Sequence, residues 1–438
     1  MAADFETRPA DWLTFPNAVA RVRSVAPLPA VSLPLSEALG LAVAREVRST
    51  VTLPTGPTSH MDGYAVRTAD VVLSGDSGFS APLPVAGTSR PGHPPTRPLP
   101  PGSAARVMTG GLLPEGADTV VPVEKTDREG ESPGRVRIAL APGGESAVRP
   151  GAHIRPAGEE VETGERLAAP GDTVTPPLLA LVAVTGTPSL LVHPAPRVAI
   201  LVTGDELVAA GDPGALAGGT RRADVLSPTL PPFVRAAGGA PLSPVRVQDD
   251  RSTLGKALLD AATAADFVIT TGGASMGEAD LVKSALDDVG FELDFWRVRM
   301  RPGSPVSFGR LRDGGRRVPV LGLPGNPVSA MVTFLTLGVP ALRTLGGHAR
   351  AHLPTVRAAA RERLGGPPDL RVYLRVTLEA EGDGRWGARL SAPQGSGAIR
   401  NLALADGLAV LAEGVGEIAE GEGVPVLLLP RFGWAENS

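Results

Sequence analysis

Three short apolar runs, RVAILV at 197–202, DFVIT at 266–270 and VPVLG at 318–322, constrain this chain more than any other feature. None alternates polar with apolar residues, so a strand built from any of them must be covered on both faces. Segments with helical patterning lie between and after them: SPTLPPFVRAAG, RSTLGKALLDAAT and EADLVKSALDDV. Strands alternating with helices dictate a mostly parallel, three-layer α/β sheet. PLSPVRV, FELDFWRVRM and PVSFGRL are expected to add strands. The helix expected over 327–344 takes Asn326 as its N-cap and Pro327 as its first residue.

The rest of the chain reads differently. Two helical patterns, DWLTFPNAVARVRSVA and PLSEALGLAVAREV, are expected near the start, the second capped by Ser36 with Glu37 in its first turn. From about 55 to 148 short β-like runs (RVMTG, DTVVPVEK, GRVRIAL) sit between Pro/Gly turns and read as a small β domain. The tail from about 353 returns to β patterning and fits a small barrel or sandwich. Gly 54 and Pro 45 make almost a quarter of the 438 residues, interspersed with apolar runs, which indicates many turns rather than disorder.

Composition excludes several functions. The net charge of −4 argues against a general nucleic-acid binder. Cysteine is absent, which removes disulfides, thiolate nucleophiles and Cys-ligated metals. The six histidines lack ligand spacing. The start carries no basic-then-apolar signal pattern, and the most apolar stretch, LLALVAVTGTPSLLV, is too interrupted to span a bilayer. A soluble, cytoplasmic protein is expected. Only three of the basic residues are lysines, so arginine in a lysine's place says little about function.

Ligands of open α/β sheets bind beyond the carboxyl ends of the strands. Three such ends carry glycine-bearing loops: Thr203-Gly204-Asp205-Glu206, then TGGASMGEAD at 271–280, then LPGNPVSA at 323–330. Gly272 and Gly277 have Walker A spacing, but Glu278-Ala279 stands where the Lys and Ser/Thr belong, which argues against an ordinary NTPase. Glycines ahead of a helix still expose N–H groups that suit a phosphate. Asp205, Glu206, Asp249, Asp250, Glu278 and Asp280 lie near these loops. Each has a bland reading as a helix cap. As a group beside a phosphate cradle they suggest Mg²⁺. Arg297, Arg299 and Arg301 alternate along one expected strand face, either solvated or holding an oxyanion. MDGYA at 61–65 has turn chemistry at Asp62-Gly63 and an unexplained tyrosine.

SHMDGYAVR, RVMTGGLLPEGADTVV, VTGDEL, TTGGASMGEAD, MRPGSP, GLPGNPVSA and PQGSGAIRNLALADGL together resemble the molybdopterin molybdenumtransferase family of the MoeA type, to which the gephyrin E-domain is related. The motifs run in family order over nearly the whole chain. The resemblance implies a multidomain α/β plus β protein: a discontinuous helical domain (11–54 and 149–190), an inserted β domain (55–148), an α/β molybdopterin-binding domain (191–348) and a C-terminal β domain (352–431). It implies a homodimer that takes adenylylated molybdopterin and molybdate, uses Mg²⁺, and releases AMP and molybdenum cofactor. Contacts with other proteins of that pathway are part of the expectation; nucleic acid and membrane are not.

Residue by residue, Asp62 and Thr109 resemble active-site residues that act across the dimer cleft. Glu206, Ser275, Asp280 and Ser329 match the nucleotide-pterin and metal site, with Glu206 and Asp280 as the metal ligands and Asp249 a further functional acid. Gly272, Gly273, Gly277, Pro324, Gly325 and Asn326 belong to the cradle loops. Arg301, Pro305, Arg375 and Ser396 match the molybdate site, and Arg297 stands nearby where a lysine is usual. Ser304, Glu160, His153 and Asp224 depart from the common Lys, Asp, Asn and Asn. A molybdopterin adenylyltransferase would share only the α/β domain, and a non-catalytic scaffold would not need the acids. These remain the alternatives.

Overall fold

The structure, a computed structural model, describes residues 12–430 apart from 75–77, 129–133, 141–147, 210, 212, 218, 273–287, 383 and 396–397. The chain divides into two compact units, one made of 46–169 and 176–188, the other of the remaining residues.

The smaller unit is built on a five-stranded sheet. Its strands are β1 (Gly63–Val66), β2 (Leu83–Ser89), β3 (Ala104–Val107), β4 (Thr119–Pro122) and β5 (Arg135–Val136). They run in the order β4-β1-β3-β2-β5, with β1 antiparallel to both neighbours. Central β1 is wholly buried: Tyr64 and Val66 pack with Val121 and Val136, while Ala65 packs with Val107 and Val120 on the other face. The tyrosine of MDGYA is therefore a core residue, 1% exposed. Gly63 is needed for room, because a Cβ there would lie 2.0 Å from the Val121 carbonyl oxygen of β4.

In the larger unit the central sheet comprises β6 (Arg197–Thr203), β7 (Ala240–Pro241), β8 (Val245–Val247), β9 (Phe267–Thr271), β10 (Glu292–Trp296), β12 (Ser307–Asp313) and β13 (Arg316–Leu323). The order is β7-β6-β9-β13-β12-β10, with β8 also pairing β6. The β6, β9 and β13 neighbours are parallel, and β12 and β10 continue antiparallel. The two-faced burial read from the apolar runs is met. Val198, Ile200 and Val202 face α1 (Phe15–Val22), α2 (Leu226–Ala236) and the 327–345 helix, while Ala199 and Leu201 face α3 (Arg251–Ala264). The 327–345 helix contains a π turn at Phe334–Gly338. It is apolar and long enough to cross a membrane by composition, yet 89% of it is buried inside the protein.

Five strands, β14 (Thr355–Ala360), β15 (Arg371–Ala380), β16 (Trp386–Leu390), β17 (Gly407–Leu411) and β18 (Gly423–Leu428), close into a barrel as β15-β16-β14-β18-β17 and back to β15. Short β11 (Met300–Arg301) joins its wall in parallel with β15.

Three elements differ from expectation. Only one 3-10 turn, Leu35–Glu37, forms in 34–47, and Ser36 does not cap it; Ala42–Val43 instead pairs with Val192 and His193. Tertiary pairing there overrides a helical pattern. PLSPVRV splits into β7 and β8, because Pro241 and Pro244 have no N–H for a continuous ladder. The strand expected over 291–300 breaks at Arg297, whose φ is 68°, so Arg297, Arg299 and Arg301 do not share one extended face. The helix expected over 278–289 falls largely outside the described residues.

Candidate active site

The parallel order of β6, β9 and β13 sets three loops side by side at the carboxyl edge of the sheet. Thr203, Gly204 and Glu206 from the first, Thr271 and Gly272 from the second, and Pro324, Gly325 and Asn326 from the third line one cleft of about 700 Å³. Its floor is tied together: the Thr203 hydroxyl donates to the Thr271 carbonyl at 2.9 Å. Gly272 has φ +88°, and a Cβ on it would lie 2.5 Å from Thr203 Oγ1, so this turn admits only glycine. The Asn326 side chain accepts from the Val328 N–H at 3.2 Å and the Ser329 N–H at 3.4 Å, as an N-cap should.

Glu206 is exposed and lines this cleft. Asp249, at the end of β8, does not line it. Asp249 and Asp205 bind each other's backbone instead, Asp249 accepting from the Asp205 N–H at 3.1 Å and Asp205 from the Asp249 N–H at 3.2 Å. Asp250 is a helix cap, and hydrogen bonds from Thr253, then Ser252, draw its carboxyl down to about 2. Gly273, Ser275, Gly277, Glu278 and Asp280 lie outside the described residues.

A second cleft, of about 430 Å³, is lined by Arg301, Ser304, Pro305, Ser329, Arg375 and Gln394 among others. Pro305 and Ser329 line both clefts and form their common wall. The pairing of β11 with β15 assembles this pocket, setting Arg301 opposite Val372, three residues before Arg375. Arg375 is 1% exposed, its Nε has no hydrogen-bond partner, and neither it nor Arg301 forms an ion pair among the described residues. It donates to the Gly395 carbonyl at 2.9 Å. Burial, with the Arg301 charge second, holds the Arg375 guanidinium below its ordinary value. A buried cation without a counterion is costly, and an entering anion removes that cost.

Sequence reasoning missed Gln394, although it lies in the quoted PQGSG stretch. Its Oε1 accepts the Arg375 N–H at 2.8 Å and its Nε2 donates to the Arg375 and Ala392 carbonyls, fixing the strand that carries the arginine. Arg297 does not line either cleft. Its guanidinium sits 5.5 Å from the Trp12 ring and 5.7 Å from the Trp296 ring, a consequence of the break in the strand. Ser396 lies outside the described residues.

In the smaller unit, Asp62 and Thr109 meet. The β1–β3 register pairs Gly63 with Val107, which brings the two motif loops together. Asp62 Oδ1 accepts the Thr109 N–H at 2.7 Å and the Thr109 hydroxyl at 2.8 Å. These bonds, backbone first, hold the Asp62 carboxyl below the usual carboxylate range, with Arg106 adding a smaller pull. Two departures noted from the sequence have backbone explanations. His153 has φ 57°, a region Asn and His both tolerate, and Asp224 accepts the Ser227 N–H at 3.0 Å ahead of α2 as an Asn would.

The chain matches three family models in order. Residues 13–186 match the MoeA N-terminal region (domain I and II), 199–344 a family described as "Probable molybdopterin binding domain", and 357–429 the MoeA C-terminal region (domain IV). Molybdopterin molybdenumtransferase 2 of Mycobacterium tuberculosis is 35% identical over 398 residues, covering 89% of this chain and 93% of that protein. Molybdopterin molybdenumtransferase of Nostoc sp. is 34% identical over 396 residues, covering 89% of this chain and 87% of that protein. The crystal structure of the molybdopterin biosynthesis MoeA protein from Pyrococcus horikosii aligns with a TM-score of 0.73 at 28% identity, over 97% of this chain and 100% of that one.

Proposed function

The chain belongs to the MoeA family, and from that premise we propose that it inserts molybdenum: adenylylated molybdopterin and molybdate become molybdenum cofactor and AMP. One observation carries the assignment to this pair of clefts. A strand-end cleft with glycine-bearing loops shares the wall of Pro305 and Ser329 with a pocket holding a buried guanidinium that makes no ion pair among the described residues. The first suits a phosphate-bearing pterin, the second a tetrahedral dianion, and the wall sets them side by side.

In this reading Arg375 and Arg301 hold molybdate by charge-assisted hydrogen bonds. The backbone at Gly272 and Gly325 lets the substrate phosphates approach the cradle. Ser329 presents a hydroxyl to both substrates. The residues present fit Mg²⁺ by donor chemistry. Glu206 is a hard oxygen donor at the cleft, the kind Mg²⁺ takes beside waters and substrate phosphates. Glu206, with Asp280 named by the family resemblance and outside the described residues, would hold the ion, which supplies positive charge to the phosphoanhydride when bound. Asp62, held below the usual carboxylate range by Thr109, takes part in the reaction in this reading, a role that the family resemblance supports.

A homodimer and a cytoplasmic location belong to the proposal. Mixing Asp62→Ala chains with Glu206→Ala chains tests the first. Partial recovery of turnover is expected if the two residues serve one reaction from different subunits, and complete inactivity of mixed dimers contradicts it.

A further inference from the structure

The 700 Å³ cleft has one cationic side chain among its described lining residues, Arg222, alongside the carboxylates Glu206 and Asp224. Arg222 sits on a two-residue strand, Arg222–Ala223, that pairs in parallel with Leu207–Val208. Its N–H donates to the Glu206 carbonyl at 2.9 Å, so its Cα is fixed beside the proposed metal ligand. Its side chain, in contrast, makes no ion pair or hydrogen bond among the described residues. The neighbouring Arg221 is already engaged, donating to the Asp205 carbonyl. A guanidinium held at its base, with no partner at its tip among the described residues, in a cleft whose other charged lining residues are acids, is suited to an incoming anion.

We propose that Arg222 binds the phosphoanhydride oxygens of the adenylylated pterin and sets the preference of this cleft for a phosphorylated ligand. The inference rests on the reading of this cleft as the pterin-nucleotide site. The charges support it: two carboxylates repel a phosphoanhydride, and Arg222 with a divalent cation offsets them. Aliphatic side chains (Leu207, Leu216, Val225 and Ile399) supply the remaining surface for the flat rings.

Equilibrium titration of the full chain with AMP and with adenosine, both with Mg²⁺, tests this. Wild type should bind AMP at least tenfold more tightly than adenosine. Arg222→Ala should lose about tenfold or more in AMP affinity with adenosine affinity unchanged, a charged hydrogen bond being worth at least that factor. Arg222→Lys should recover part of the loss, and Arg221→Ala should leave the preference intact. Molybdate binding to the other cleft should be unaltered in every variant, which also reports that they fold. An Arg222→Ala protein that keeps the preference, or weakens both ligands equally, overturns the role of Arg222. A wild type that binds neither ligand overturns the assignment of the cleft itself.

Discussion

Replacing Arg375 by methionine separates a structural arginine from a ligand-binding one. The side chain is 1% exposed, lacks an ion pair among the described residues and leaves Nε unpartnered. In the free protein its charge is a desolvation cost only partly offset by the Gly395 carbonyl. Arg375→Met should therefore leave the ligand-free protein within about 1 kcal/mol of wild type, or make it more stable. Anion binding should suffer. A hydrogen bond to a charged group contributes about 1.5–3 kcal/mol, which is roughly a 10- to 150-fold loss of affinity. At molybdate equal to about 100 times the wild-type Kd, wild type gains about 2.7 kcal/mol from ligand. The variant should gain only about 0.3–1.4 kcal/mol at the same concentration. Calorimetric titration gives the affinities, and thermal scans with and without molybdate give the protection. A variant protected as strongly as wild type, or one unstable without ligand, would refute the reasoning.

Other sites give independent tests. Gly63→Ala puts a Cβ 2.0 Å from the Val121 carbonyl and should destabilise the smaller unit by several kcal/mol, seen as earlier loss of its amide-exchange protection. Ser304 donates to the Met300 carbonyl at 2.5 Å; Ser304→Lys gives up that bond but adds a cation to the pocket, and should lower the molybdate requirement, by tenfold for about 1.4 kcal/mol gained. His348, bonded through Nδ1 to the Thr173 hydroxyl at 2.9 Å, is held down to about 4 by burial first and by Arg343 and His193 after it. Because the unfolded chain takes up that proton first, stability should be lost as pH falls from about 6.5 to about 4, by up to roughly 3 kcal/mol, and His348→Leu should flatten that part of the profile.

Much of the fold is legible because apolar runs state their environment. RVAILV alternates between two buried faces, and no other packing satisfies it. The strand-end loops follow from that topology, as does the Asn326 cap. The misses share a cause: pairing and backbone angle are not local properties. The segment 34–47 has helical composition but finds a distant strand partner, Val43 pairing with Val192. Arg297 reads as part of a strand until its φ of 68° turns it between two indoles. Tyr64 resembles a site residue because it lies two positions after Asp62, yet β1 is central and covered on both faces, which buries it. Asp62 and Thr109 are marked in the sequence by motif resemblance alone; that they touch is seen only in the structure, where the β1–β3 register supplies the physical reason. Arg222 had no motif to mark it, since only the paired strand beside Glu206 places it in the cleft.

The most direct test is AMP release from adenylylated molybdopterin by the purified full chain with Mg²⁺. AMP should appear in proportion to cofactor formed and only when molybdate is present. AMP-yielding turnover of ATP with free molybdopterin and no need for molybdate would instead identify an adenylyltransferase, and substrate binding without any AMP would identify a scaffold.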